Sequence, residues 1–413
     1  VTAPVPAPSP APAWRRWLQP LFGVLILAGV LWFLPWSDVL HVTYGESDRS
    51  VAFVGAIEGD WREDHVTFVL DEGQRPSPWP DWIPSHVSRV DLVGTAQGGW
   101  ESPSFPTAAA RFDLRPGMPR VFKSVDTLGF VWAMASFFTA MLFAITRWWR
   151  LMNCAGCVVP WGAAFRLSYL GLFFNLVMPG LTGGDVVKAV LAVREHPERR
   201  SDALISVLVD RMLGIFALAF LASVVILIVD TFAELRPVFP PLVLVLIAAA
   251  LVYTSRRVRK LLRFDQLIER LPMSKRLRSL DTALVAYRRQ PFEMGLAFLL
   301  SLGNHAFSVL GVMSLGLAFG IPSRLVAFSD YLAIVPVANI VSSVPITPGG
   351  WGVGEAAYAY LFGLLGVAAS LGVAVSVGFR VCQMVLGLCG GLYLLRPGAR
   401  SKARIDVLEA EAT

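Results

Sequence analysis

The stretch Asn175-Leu-Val-Met-Pro179-Gly180-Leu-Thr-Gly183-Gly184-Asp185-Val-Val-Lys188 interrupts one of the most apolar parts of a very apolar chain. An apolar run enters it, Pro-Gly and Gly-Gly break it, and an Asp and a Lys follow at once. Backbone N–H and C=O groups have no water to bond in the hydrocarbon layer of a membrane. A broken segment at that depth must therefore be buried in protein or line a wet cavity. Polar edges on such a break make it a candidate substrate site. A second stretch, Pro345-Ile-Thr-Pro348-Gly349-Gly350-Trp-Gly352-Val-Gly354-Glu355, has the same character.

Composition supports a membrane setting. Of 413 residues 55% are hydrophobic and 16% charged, with a mean hydropathy of +0.59, which departs from soluble averages toward a multi-span protein. The net charge of +6 raises nucleic acid as a partner. The basic residues, however, cluster in short loops between apolar runs, as orientation signals do, and no nucleic acid is expected. Four Cys give no disulfide framework. Cys154 and Cys157 form a lone CxxC without a second pair, and Cys382 and Cys389 lie in an apolar run, so all four are read as structural. The five His are scattered, and no metal or cofactor is expected.

Residues 1–16 are a Pro/Ala-rich tail ending in Arg15 and Arg16, unable to build a core. The apolar run 17–36 is long enough to cross about 30 Å of hydrocarbon and carries Trp at both ends. It reads as an uncleaved signal-anchor with a cytoplasmic N-terminus. Composition then changes completely. Residues 37–127 read as a small β-rich extracytoplasmic insert, with strands at 51–54, 65–70, 87–93 and 111–114 between Gly and Pro turns. The insert is either a surface for a partner protein or a cap packed on the membrane region.

Residues 128–396 form the main transmembrane region. The run 128–146 crosses inward and ends at Arg147 and Arg150. The run 165–178 reaches only about 21 Å, too short to cross. Basic residues flank it and its continuation on both sides, so it reads as a re-entrant hairpin dipping in from the cytoplasm. The run 203–229 crosses outward and 240–253 returns. Eleven Lys and Arg then crowd residues 256–290, the strongest positive-inside signal, read as an amphipathic surface against anionic lipid headgroups. The run 292–319 crosses outward. Residues 331–344 enter from outside, break at 345–354 and return as 355–365. The run 372–395 crosses back, and the tail 397–413 stays cytoplasmic. The expectation is an all-α polytopic protein of the plasma (inner) membrane, with about six full spans, two re-entrant helical hairpins and both termini cytoplasmic. Residues 128–229 and 292–395 repeat one three-part unit in opposite orientation, the inverted-repeat plan of secondary transporters.

Several residues are placed for chemistry. Asp185 and Glu355 stand at the starts of the two returning helices, whose N–H groups make positive ends suited to a phosphate. The two acids are read either as caps or as site residues. Pro179, Gly180, Gly183 and Gly184 in one stretch, and Pro348, Gly349, Gly350 and Gly354 in the other, supply the broken backbone. Asp210 and Arg211 lie within an apolar run, where charges pair or face a polar cavity. As helix neighbours they point about 100° apart and should pair elsewhere. Arg380, in the middle of the last run, receives an anionic headgroup or pairs with Glu355 or Asp210. Lys188 lines the site or snorkels to the interface. Asn175, Asn304 and His305 hydrogen-bond within the bundle.

In combination and order, Asn175-x3-Pro179-Gly180-x2-Gly183-Gly184-Asp185, Asp210-Arg211-x2-Gly214 and Pro345-x2-Pro348-Gly349-Gly350-x-Gly352-x-Gly354-Glu355 resemble the transmembrane region of lysylphosphatidylglycerol synthases and the stand-alone flippase-like proteins that share it. The resemblance covers residues 128–396 and the first span. It implies an integral membrane protein linked to translocation of a lipid with a charged or phosphate-bearing headgroup, a phospholipid or a polyprenyl phosphate. Arg380 matches the basic residue often seen in the final helix, while Lys188 stands where an Arg is common. Only 17 residues follow position 396, so lysyl transfer by this chain is not expected, and the 37–127 insert is longer than the resemblance implies. The function expected is lipid transport through a midplane site; the alternatives are a membrane scaffold or an intramembrane lipid-phosphate transferase. Hairpins entering from opposite faces predict that Thr182→Cys reacts with an impermeant thiol reagent only from the cytoplasmic side. Thr347→Cys then reacts only from the outer side, and the reverse pattern rules the arrangement out.

Overall fold

Alternating apolar and polar residues build the outer part. In the computed structural model, which describes residues 32, 36–44, 49–71, 87–95, 100–103, 110–177, 183–255, 281–282, 284, 287–343 and 352–395, six antiparallel strands follow one another as a meander. They are β1 (Asp38–Tyr44), β2 (Arg49–Glu58), β3 (His65–Leu70), β4 (Arg89–Gly94), β5 (Trp100–Glu101) and β6 (Ala110–Arg115). β1 also pairs with β6, with Leu40 opposite Leu114, so the sheet closes into a barrel. Leu40, Val42, Phe53, Phe68, Leu92 and Phe112 fill its interior, as expected of a barrel this small. The four expected strands fall within or beside β2, β3, β4 and β6. β1 and β5 were not expected: one directly follows the apolar run 17–36, and the other is only two residues long.

The rest is helical: α1 (Met118–Lys123), α2 (Thr127–Cys154), α3 (Trp161–Val177), α4 (Gly183–Glu195), α5 (Arg200–Ile228), α6 (Phe239–Thr254), α7 (Pro291–Ala318), α8 (Phe328–Ser343), α9 (Val353–Gly363) and α10 (Ala369–Gly391). Among the described residues, four helical stretches are long and apolar enough to cross a membrane: Thr127–Cys154, Pro197–Ile228, Pro291–Ala318 and Ala369–Gly391. Their outward faces carry large exposed apolar side chains such as Val131, Trp132, Leu208, Leu227, Phe292 and Leu388. Exposed apolar surface of that extent fits contact with lipid. The chain is a multi-pass membrane protein. α6, with 16 residues, is shorter than a full crossing requires. The first expected span, the tails 1–16 and 397–413 and most of the basic segment 256–290 lie outside the described residues.

α2 and α7, both of 28 residues, make the most extensive helix pair. They run antiparallel: Asp126 N–H at the start of α2 donates to Ala318 O at the end of α7 (3.0 Å). At the other end Arg150 of α2 pairs with Glu293 of α7 (2.6 Å). The helices α2–α5 and α7–α10 then correspond one to one. α3 packs on α10 as α8 packs on α5; α3 packs on α4 as α8 on α9; α2 packs on α5 as α7 on α10. The contact pattern of one unit thus recurs in the other, and the first helices of the two units run antiparallel.

Within the first unit, α3 and α4 form a hairpin. Arg166 near the start of α3 pairs with Glu195 at the end of α4 (2.6 Å), while Gly184 N–H at the start of α4 donates to Asn175 Oδ1 near the end of α3 (2.7 Å). Both outer ends lie with the C-terminal end of α2, where Trp161 Nε1 donates to Thr146 Oγ1. In the second unit the outer ends of α8 and α9 lie at the barrel face instead. Arg324 before α8 reaches Asp64 (3.3 Å), and Ser370 at the start of α10 donates to Pro116 O (2.9 Å).

The barrel is held to the helices by polar contacts at four helix ends. Arg62 donates to Ala318 O (3.1 Å) and to Ser124 O. The Asp38 carboxylate, buried, accepts from Ile57 N–H (2.9 Å), Gly117 N–H (2.8 Å) and Arg120 Nε (2.7 Å). Removing that carboxylate leaves Arg120 and two N–H groups without their acceptor, a loss of about 3 kcal/mol. Asp38→Ala is expected to lower the thermal unfolding midpoint of the purified chain by several degrees, measured beside Asp113→Ala, where loss of the half-exposed pair with Arg115 should change it little.

Candidate functional site

The site starts from a close backbone approach. Where α4 begins, Gly184 lies so near α3 that a Cβ there would sit 2.0 Å from Gly171 O. Only glycine fits, and α4 is thereby pinned against α3 with Asp185 in its first turn. The Asp185 carboxylate pairs with Arg211 of α5. One turn further along α4, Lys188 turns inward, its ammonium 3.9 Å from the centre of the Trp148 ring and 3.5 Å from Asp210 Oδ2. Asp210 is also held by Arg147 Nε of α2 at 2.7 Å, and Arg147 Nη1 donates to Ser301 Oγ of α7 at 2.9 Å.

These side chains border a cavity of about 200 Å³ between α2, α3, α4 and α5, with Ser168, Asn175, Asp185, Lys188, Asp210 and Arg211 as its polar lining. The charged lining is balanced, Lys188 and Arg211 against Asp185 and Asp210; Arg147, which holds Asp210 from outside the lining, gives the cluster as a whole one positive charge in excess. Such a cluster suits an anion of modest size.

The second unit repeats part of this arrangement. Gly354 precedes Glu355 as Gly184 precedes Asp185, and a Cβ on Gly354 would sit 2.6 Å from Arg380 Nη2. Glu355 pairs with Arg380 at 2.5 Å. The acid and the Arg are 25 residues apart here and 26 residues apart for Asp185 and Arg211. Each Arg stands equally far from the start of its helix, Ala369 or Arg200. The environments differ. Glu355 is wholly buried and also accepts from Gly352 N–H (2.6 Å) and Ser376 Oγ (3.3 Å), whereas Arg211 is about half exposed.

The expected residues thus separate. Asn175, Gly184, Asp185, Lys188, Asp210 and Arg211 come together around one cavity. Gly183 opens α4. Gly354, Glu355 and Arg380 form the equivalent pair, away from that cavity. Pro179, Gly180, Pro348, Gly349 and Gly350 lie outside the described residues. Arg380 takes Glu355, not Asp210, as its partner. Glu355 reaches back to cap its helix as expected, while the Asp185 carboxylate goes to Arg211. As read, Asp210 and Arg211 pair with different groups. His305 Nε2 lies 3.0 Å from Gly214 O within the bundle.

Two readings are corrected. Lys188 does not snorkel, because Trp148 and Asp210 draw it inward. Arg147 does not mark a helix end at the headgroups; it is buried and neutralises Asp210. Arg147, Trp148 and Ser168 belong to the cavity region and were missed as site residues. The nearly equal acid-to-Arg spacing, 26 residues against 25, was legible in the sequence and would have aligned the two units. The thiols of the CxxC are free. Cys157 is buried, and burial with Asp202 nearby pushes its thiol pKa up, which keeps it protonated and unreactive.

Comparison with known proteins bears on this arrangement. Residues 109–391 match the family described as the lysylphosphatidylglycerol synthase TM region. The chain belongs to this family. A UPF0104 membrane protein of Methanothermobacter thermautotrophicus is 27% identical over 238 residues, covering 54% of this chain and 70% of the relative. The family match takes in β6 and all ten helices, hence both acid–Arg pairs and the cavity, while β1–β5 fall outside it.

Among the described residues, Arg147→Ala leaves buried Asp210 with only its long contact to Lys188, and breaking a buried pair on one side costs up to about 3–5 kcal/mol. The expected result is a large fall in the thermal midpoint, partly restored in the double variant Arg147→Leu/Asp210→Leu. Equal midpoints for the single variant and the parent would show the pair to be dispensable.

Proposed function

We propose that this protein handles and translocates a lipid with an anionic headgroup, a phospholipid or a polyprenyl phosphate, taking the headgroup into the Asp185–Arg211 cavity. The single observation that carries the reading is a cavity lined by four charged side chains, Asp185, Lys188, Asp210 and Arg211, built between apolar helices where two of them meet as a hairpin. Charge at such depth is costly and marks a pathway more often than a structural accident. The reversed pairing of the two units supports a second element of the reading. α3–α4 and α8–α9 act as re-entrant hairpins from opposite faces, and the units together form an inverted repeat that can expose one site to either side in turn.

On this reading the barrel lies on the outer side of a cytoplasmic membrane, and the hairpin α3–α4 opens toward the cytoplasm, where both termini also lie. The basic segment 256–290 rests on anionic headgroups there. The outer barrel acts first as a cap on the helix ends, and its polar surface is available to a partner protein. The activity is transport and not a transfer reaction.

Reconstitution tests the proposal. Arg211→Ala, made on a half-exposed side chain, is expected to leave the protein monodisperse and to slow movement of a fluorescent anionic phospholipid across proteoliposomes at least tenfold. Loss of one charge-assisted, bidentate contact is enough for a change of that size. Arg166→Ala, on the outer end of the same hairpin, should leave the rate unchanged. Equal rates in the parent and Arg211→Ala would reject the site.

A further inference from the structure

The cavity holds one polar atom whose geometry is out of pattern. Ser168 is nine-tenths buried and lines the cavity, yet its Oγ has no hydrogen-bond partner. Other serines within these helices donate to the carbonyl three or four residues earlier, as Ser206, Ser223, Ser301, Ser308, Ser314 and Ser342 do, or to a distant acceptor, as Ser376 does to Glu355. That local bond is the default for a helical hydroxyl in apolar surroundings. A buried hydroxyl left without one costs free energy, and it stands ready for a ligand.

The charges beside Ser168 point to what that ligand carries. The Lys188 ammonium has three donors; among the described residues its one carboxylate contact is Asp210, at the long distance of 3.5 Å. Arg211 presents Nε and Nη2 to Asp185, the bidentate face that also fits a phosphate. Among the described residues Arg211 is the hydrogen-bond partner of the Asp185 carboxylate, and the carboxylate is partly exposed. Glu355, in the equivalent place, is fixed by three donors and wholly buried. One acid is therefore locked on its Arg and the other is exchangeable.

We infer that Ser168, Lys188 and Arg211 form a seat for a singly charged phosphate diester, and that Asp185 is a built-in competitor which the phosphate displaces from Arg211. Counted with Arg147 behind Asp210, the cluster carries one excess positive charge, which matches a single negative charge. The cavity, with space for about six waters, accepts a phosphate and a small substituent. This rests on the lipid reading above and deepens it, because it assigns opposite roles to neighbouring residues. Arg211 and Ser168 favour binding, while Asp185 opposes it and keeps Arg211 neutralised between ligands.

The test is binding to the full-length purified chain in detergent, read by titration calorimetry, with dihexanoyl-phosphatidylglycerol, inorganic phosphate and dihexanoylglycerol as probes. The phosphatidylglycerol is expected to bind saturably and the dihexanoylglycerol not to. Asp185→Asn should tighten phosphatidylglycerol binding about tenfold, Ser168→Ala should weaken it about threefold to tenfold, and Arg211→Ala should weaken it at least tenfold. Gel filtration checks each variant for folding. Ser168→Ala, the smallest change, keeps the proposal falsifiable if Asp185→Asn does not fold. Weaker or unchanged binding in a folded Asp185→Asn overturns the competitor role, and unchanged binding in folded Ser168→Ala and Arg211→Ala overturns the seat while leaving lipid transport standing. Saturable binding of inorganic phosphate with none of phosphatidylglycerol keeps the seat but rejects a lipid as its source, and the transport reading falls with it.

Discussion

A charge buried among apolar helices persists only when an opposite charge and further hydrogen bonds meet it. That constraint organises the centre of this protein. Asp210 lies on α5 among Val207, Val209 and Ala217, residues that would otherwise make an unremarkable apolar stripe. It is accommodated because Arg147 of α2 and Lys188 of α4 converge on it, and Ser301 of α7 takes a further Arg147 donor. Four helices from both units are thus tied at one point. Glu355 meets the same requirement differently, collecting Arg380, Ser376 and the Gly352 N–H group from its own unit.

The two units share a scaffold but not a chemistry. Corresponding positions show where they diverge. Asp210 precedes Arg211, while Phe379 precedes Arg380 and packs on Phe137 with ring centres 4.9 Å apart. Lys188 follows Asp185 by one turn, while Tyr358 follows Glu355 by one turn and is buried beside Phe362. Replacing an acid and a lysine by two aromatic side chains removes one buried charge of each sign and fills the place with rings. The equivalent backbones therefore give a polar cavity in one unit and a packed core in the other.

Much of this was legible in the sequence because membrane helices and broken segments obey strict length and polarity rules. The short apolar runs beside the two Gly-rich stretches and the long apolar runs around them led to helices that exist. The strands with clear alternation did too. What escaped depended on distant partners. Arg147 sits at the end of an apolar run, where an orientation signal and a buried partner for Asp210, 63 residues away, look alike. Lys188 likewise reads as a snorkelling residue until Trp148 is known to lie beneath it. β1 and β5 escaped because barrel closure, not local pattern, decides that they are strands. Ser168 has no sequence signature at all; its significance is that a bond expected of a helical serine is not made.

The distribution of contacts also decides which unit is the softer. Opening α8–α9 away from α10 would expose the wholly buried Glu355 and break a pair whose loss costs about 3–5 kcal/mol. It would also pull against the barrel, which holds the flanking segments through Arg324 to Asp64 and Ser370 to Pro116. Opening α3–α4 away from α5 breaks the Asp185–Arg211 pair, a partly exposed contact that contributes at most about 1 kcal/mol, and the long Lys188–Asp210 contact, while Asp210 keeps Arg147. The outer ends of that hairpin are joined by the partly exposed Arg166–Glu195 pair, at the end of the bundle away from the barrel. Local openings draw on the least stabilised contacts first. The barrel therefore braces one unit and leaves the other, the one with the cavity, more lightly held.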